Sequence, residues 1–121
     1  MTVAPPKVGL LTVSDGRAGV HADVGPFAQG VEDRIANALG ESGVEVVRGA
    51  ELVWTNDLAV SEARRVADAR PDLTIVNVPV WAFPHFTMLV ASQTPGPLLL
   101  FSNIDPVYPG MVGMLAAGGA L

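Results

Sequence analysis

The run Leu73–Val78, Leu-Thr-Ile-Val-Asn-Val, is apolar or β-branched at every position but Asn77, the composition of a strand covered on both faces. Strands of that kind occupy the middle of parallel sheets with helices on either side, so this run commits the chain to an α/β architecture. Pro79, which cannot donate to a sheet ladder, ends it. Beyond it, Val80–Phe86 sets Trp81 and Phe83 between Pro79 and Pro84, with His85 and Phe86 behind them, at the carboxyl edge where open α/β sheets bind ligands.

The rest of the chain supplies alternating strands and helices. Lys7–Val13 reads as a first strand, followed by a loop from Ser14 to Gly25. Pro26 suits the first position of a helix that ends at Gly40 or Gly43; Phe27, Val31, Ile35 and Leu39 form its buried stripe, with Glu32, Asp33 and Arg34 largely off it. Val44–Val47 is a second strand whose flanking Glu45 and Arg48 suit a sheet edge. Thr55 or Asn56 caps a second helix, with Asp57 in its first turn; Ala59, Ala63, Val66 and Ala67 face inward until Pro71 stops it. After the third strand come a short helix over Phe86–Ser92, a turn at residues 94–97 and a fourth strand, Leu98–Ser102. A loop from Asn103 to Pro109 then leads into a small-residue helix from Gly110 to Leu121.

This order implies a doubly wound parallel sheet, a flavodoxin-like, Rossmann-like three-layer sandwich of about four strands. The strand order expected is 2-1-3-4, because the dinucleotide order normally carries a Gly-x-Gly-x-x-Gly turn after strand one and none is present. In that order the loops bearing Arg17 and Trp81 flank one crevice.

Length and charge narrow the function. The 121 residues, 50% hydrophobic, suit a single domain. With 12 acidic and 7 basic residues the net charge is −5, and no basic cluster exceeds Arg64-Arg65, which argues against nucleic acid or an anionic membrane as partner. The absence of cysteine excludes disulfides and thiolate metal sites, and together with a start lacking an apolar leader it fits a cytoplasmic protein. Of the 19 charged residues, 18 lie at or before Asp72 and only Asp105 follows. Prolines interrupt the uncharged half, and its last apolar stretch is shorter than the ~20 residues a bilayer needs, so burial against other protein is expected. The last helix reaches Leu121 without a cap or a polar tail, and the chain therefore reads as the N-terminal fragment of a longer multidomain polypeptide. A naturally short chain is the alternative.

Candidate chemistry gathers at strand ends. Arg17 follows the turn dipeptide Asp15-Gly16, and a guanidinium fork projecting there suits hydroxyls, a carboxylate or a phosphate. The alternative is an ordinary surface arginine paired with Asp15 or Asp23. Trp81 can stack on the C–H face of a sugar while its N–H donates, or it can plug the sheet end as Phe83 and Phe86 are expected to do. Asp15, His21, Phe83 and Asn103 are further pocket-lining candidates. His21 with Asp23 is a weak metal signal without a third partner, and His85 reads as structural. No Ser/His/Asp arrangement, phosphate loop or paired carboxylates appear, so a complete active site is not expected.

Lys7-Val8-Gly9, Asp15-Gly16-Arg17 with Gly19-Val20, Pro79-Val80-Trp81, Phe101-x-Asn103 and Pro109-Gly110, in this order at successive strand ends, resemble the amino-terminal domain of L-fucose isomerase and L-arabinose isomerase-like proteins. The resemblance implies an aldose–ketose isomerase using a divalent ion, usually Mn2+, held by two carboxylates and a histidine from later domains. It implies no catalytic or metal residue in this chain, which alone is expected to be inactive. It also implies that the domain covers the sugar site of a neighbouring subunit in a hexamer-like homo-oligomer, with Arg17 and Trp81 touching substrate. His21 and Ala18 stand where the fucose enzymes commonly carry basic residues, which leaves the sugar open. The rival reading is a free-standing flavodoxin-like small-molecule-binding or regulatory module.

Overall fold

The computed structural model describes residues 3–108 and 110–121. Pro109, half of the Pro109-Gly110 pair, lies outside the described residues, as do Met1 and Thr2. Eight elements alternate: β1 (Lys7–Thr12), α1 (Ala18–Glu41), β2 (Glu45–Arg48), α2 (Asn56–Asp68), β3 (Leu73–Val78), α3 (Pro84–Gln93), β4 (Leu98–Ser102) and α4 (Met111–Ala120). The strands form one parallel sheet in the order β2-β1-β3-β4, as the sequence implied.

Alternation along the inner strands builds two cores. Val8, Leu10 and Ile75 face α1 and meet Ala36, while Leu11, Val13, Val76 and Val78 face the other way onto Ala63 and Val66 of α2 and Phe86 and Val90 of α3. Right-handed crossovers impose this division: the step from β1 to β2 places α1 on one face, and the opposite steps to β3 and β4 place α2 and α3 on the other, where α4 joins them. Thr55 caps α2 by accepting the Leu58 N–H at 3.1 Å. Pro84 opens α3 two residues before the expected start.

α1 departs from expectation. It begins at Ala18, and Pro26 lies inside it. The Asp15 carboxylate accepts the Arg17 backbone N–H at 2.9 Å, which closes the turn early and starts the helix there. Proline then costs one backbone bond, that to the Ala22 carbonyl, and its ring points to solvent. The stripe is also rotated: Ala28, Val31, Glu32 and Ala36 are the buried residues, whereas Phe27, Ile35 and Leu39 are half-buried. Glu32 turns inward because Arg48 of β2 reaches across to bind it at 2.6 Å, together with Asp33. On α2 a second acid, Glu62, is buried and accepts the Ala50 N–H at 2.6 Å.

At the far side, β4 is the sheet's other edge, and its Leu99 and Phe101 remain 46% and 41% exposed. Among the described residues, every large exposed hydrophobic except Val3 comes after Asp72.

Candidate functional site

β1 and β3 run side by side to their carboxyl ends, where Thr12 pairs with Asn77. The chain turns sharply just beyond β1. Asp15 is 2% exposed. Its Oδ1 accepts from both the backbone N and Nε of Arg17 at 2.9 Å, and its Oδ2 accepts from Nη2 at 2.6 Å. Between them, a Cβ on Gly16 would lie 2.6 Å from two ring carbons of Phe83 and 3.0 Å from Phe86, so only glycine lets the turn press onto these rings. Phe83 is therefore the floor under the turn rather than a wall of the crevice. Trp81 stands edge-on to Phe83 at 4.9 Å, and the Arg17 guanidinium carbon lies 5.3 Å from the centre of the indole. At 36% exposure Trp81 is a rim residue.

The resulting crevice measures about 170 Å³. Asp15 and Arg17 are its polar side, Val20 and Val24 of α1 form one wall, and Val80 with Trp81 forms the opposite one. Val107 and Tyr108, from the loop after β4, complete the lining. Asp105 shapes that loop by accepting the backbone N–H groups of Val107 and Tyr108 at 2.8 and 2.9 Å, and Tyr108 stacks on Phe27 at 4.3 Å. Sequence reasoning missed Val20 and Val24, although positions 17, 20 and 24 carry helical spacing once the helix is started at Ala18.

Other candidates lie apart from this crevice. His21 stacks on Trp54 with ring centres 4.5 Å apart, and its Nδ1 is 2.8 Å from the Ser14 hydroxyl. Desolvation lowers its pKa below 6.5, partly opposed by the Asp15 charge. Asp23 is exposed on α1. His85 lies over Phe83 and against the edge of Phe86, a packing role. Asn103 lines a separate groove of about 310 Å³ between α1 and β4, with Val31, Ile35 and Phe101 among its neighbours. Its buried Oδ1 has no partner among the described residues.

Electrostatically the crevice is a paired site. The Arg17 guanidinium holds the Asp15 carboxyl below the usual carboxylate range although burial pulls the other way, and Asp15 in turn raises Arg17. With its carboxylate committed to a salt bridge, Asp15 is a poor general base and a poor metal ligand. No three His, Cys, Asp or Glu side chains among the described residues converge to hold a metal ion. What the site offers is a guanidinium edge, an indole face and apolar walls, a set suited to binding.

No described helix is long and apolar enough to cross a membrane. No curated protein and no solved structure matches the chain. The family model for the L-fucose isomerase first N-terminal domain matches residues 5–121, and the chain belongs to that family.

Proposed function

We propose that this domain is the substrate-recognition and assembly part of a metal-dependent aldose–ketose isomerase of the L-fucose/L-arabinose type, and that Arg17 and Trp81 contact the sugar. One observation carries the reading: a guanidinium anchored over an indole at the rim of a crevice between the carboxyl ends of β1 and β3. An indole offers its face to sugar C–H groups while a guanidinium edge donates to hydroxyls. A crevice of about 170 Å³ falls below the ~300–1,000 Å³ typical of self-contained ligand sites. It therefore acts as one wall, and the opposing wall comes from another part of a longer chain or from a neighbouring subunit in a hexamer-like homo-oligomer. The Mn2+ implied by the family does not fit the residues here, since both Asp15 oxygens are held by Arg17 and His21 is turned to Ser14. Its ligands belong to later domains. A cytoplasmic location accords with the cysteine-free composition.

The test is Trp81→Ala in the full-length protein. Loss of the stacking face raises KM for the sugar by an amount equivalent to about 1–3 kcal/mol while Mn2+ affinity is unchanged, and Trp81→Phe recovers part of it. An unchanged KM accompanied by a large fall in melting temperature overturns the contact role. The 121-residue chain by itself, given L-fucose, L-arabinose or D-arabinose with Mn2+, yields no ketose; turnover there would defeat the division of labour.

A further inference from the structure

Asp15 takes the Nε–Nη2 edge of Arg17, using both carboxylate oxygens. Guanidinium carries five N–H donors in a rigid planar fork, so this engagement leaves the end of the fork, Nη1 and the second hydrogen of Nη2. Those donors belong to a side chain that is 62% exposed and lines the crevice, whereas the Asp15 side chain is only 3% exposed. The guanidinium plane is held twice, by the carboxylate along one edge and by the Trp81 ring 5.3 Å away. Its positive charge is matched by a carboxylate within the same cluster, and Asp15 and Arg17 are the only charged side chains among the described residues lining the crevice. A site of this kind donates two parallel hydrogen bonds without an excess of positive charge. It fits a pair of neighbouring hydroxyls, and it lacks the net cation that would attract a carboxylate or phosphate ester.

We propose that Asp15 is the specificity-determining residue of this crevice: it turns the free end of the Arg17 fork toward two adjacent sugar hydroxyls and neutralises it, so that neutral sugars are accepted in preference to anionic ones. The inference rests on the sugar-binding role given above to Arg17 and Trp81. Its experiment uses the full-length enzyme, with L-fucose as the neutral probe and D-galacturonate as the anionic competitor. Wild type binds D-galacturonate weakly, with an inhibition constant almost independent of salt. Asp15→Asn leaves the guanidinium unbalanced, so D-galacturonate gains about tenfold relative to L-fucose and its binding becomes salt-dependent. The Arg17 Nε–H resonance, slow to exchange in wild type, exchanges rapidly in the variant.

A ratio that does not move in Asp15→Asn, or that moves equally in Asp15→Ala with no change at the Arg17 resonance, overturns the assignment. If Asp15→Asn does not fold, wild type decides, because strong, salt-sensitive D-galacturonate binding is incompatible with a neutralised fork. Arg17→Gln separates the two levels of inference. A weaker L-fucose interaction in Arg17→Gln with no selectivity change in Asp15→Asn removes only the Asp15 role, whereas an unaltered L-fucose KM in Arg17→Gln removes the sugar contact and this inference together.

Discussion

Asp15 shows how one buried group serves fold and site at once. Its carboxylate starts α1 through the Arg17 backbone N–H and holds the Arg17 side chain with its remaining capacity. Because its folded pKa lies below the unfolded value of about 4, this stabilisation is present above that pH and is lost as pH falls through the folded value. Acid titration of stability should therefore show a limb below about pH 4 that Arg17→Gln diminishes, measured by chemical denaturation at stepped pH. His21 gives a second limb of the same sign. Its depressed pKa means that stability is full above about pH 6.5 and declines as pH falls toward the folded value. Proton NMR should place the His21 midpoint below 6.5, and His21→Gln should flatten that region of the profile. Gly16→Ala forces a methyl into Phe83 and should cost about 1–3 kcal/mol, with the loss read by thermal melting.

At the scale of the element, α1 is the instructive case. Pro26 leaves the Ala22 carbonyl without its helical donor, so the opening turns that carry Val20 and Val24 are joined to the rest by a weakened step. Pro26→Ala restores the bond and should stabilise the domain by about 1–2 kcal/mol while slowing hydrogen exchange in residues 18–25. This helix also marks where the sequence stops being readable. β3 announces itself because a run buried on both faces can hardly be anything else, and the order of strands follows from the lack of a Gly-x-Gly-x-x-Gly turn after strand one, with crossover handedness then fixing which face each helix covers. Pro26 misleads because its preference for a helix start is local, whereas the true start depends on a hydrogen bond from Asp15 and on packing around the crevice. Arg17 and Trp81 could be named from topology alone. Val107 and Tyr108 could not, since a long loop without periodicity gives no hint that Asp105 folds it back, and the His21–Trp54 stack joins two elements that only the tertiary fold brings together.

At the scale of the whole molecule, charge and exposed apolar surface are segregated along the chain. The residues up to Asp72 carry nearly all the charge, while β4 and α4 expose Leu99, Phe101, Met111, Val112 and Leu115 beside a sheet edge that has no partner strand among the described residues. Such an edge is a template for further pairing. Sedimentation of the 121-residue chain should show concentration-dependent association, and Leu99→Lys with Phe101→Lys should shift it toward monomer without unfolding, since both side chains are already half in solvent. A monomer at high concentration in the unaltered chain would speak against this surface as an assembly face. The segregation also decides which solutes control assembly. Screening acts on charges, and the second half of the chain has only Asp105. Ions excluded from apolar surface, sulfate foremost, should tighten the association and guanidinium should loosen it, so that position in the Hofmeister series rather than ionic strength sets the quaternary state.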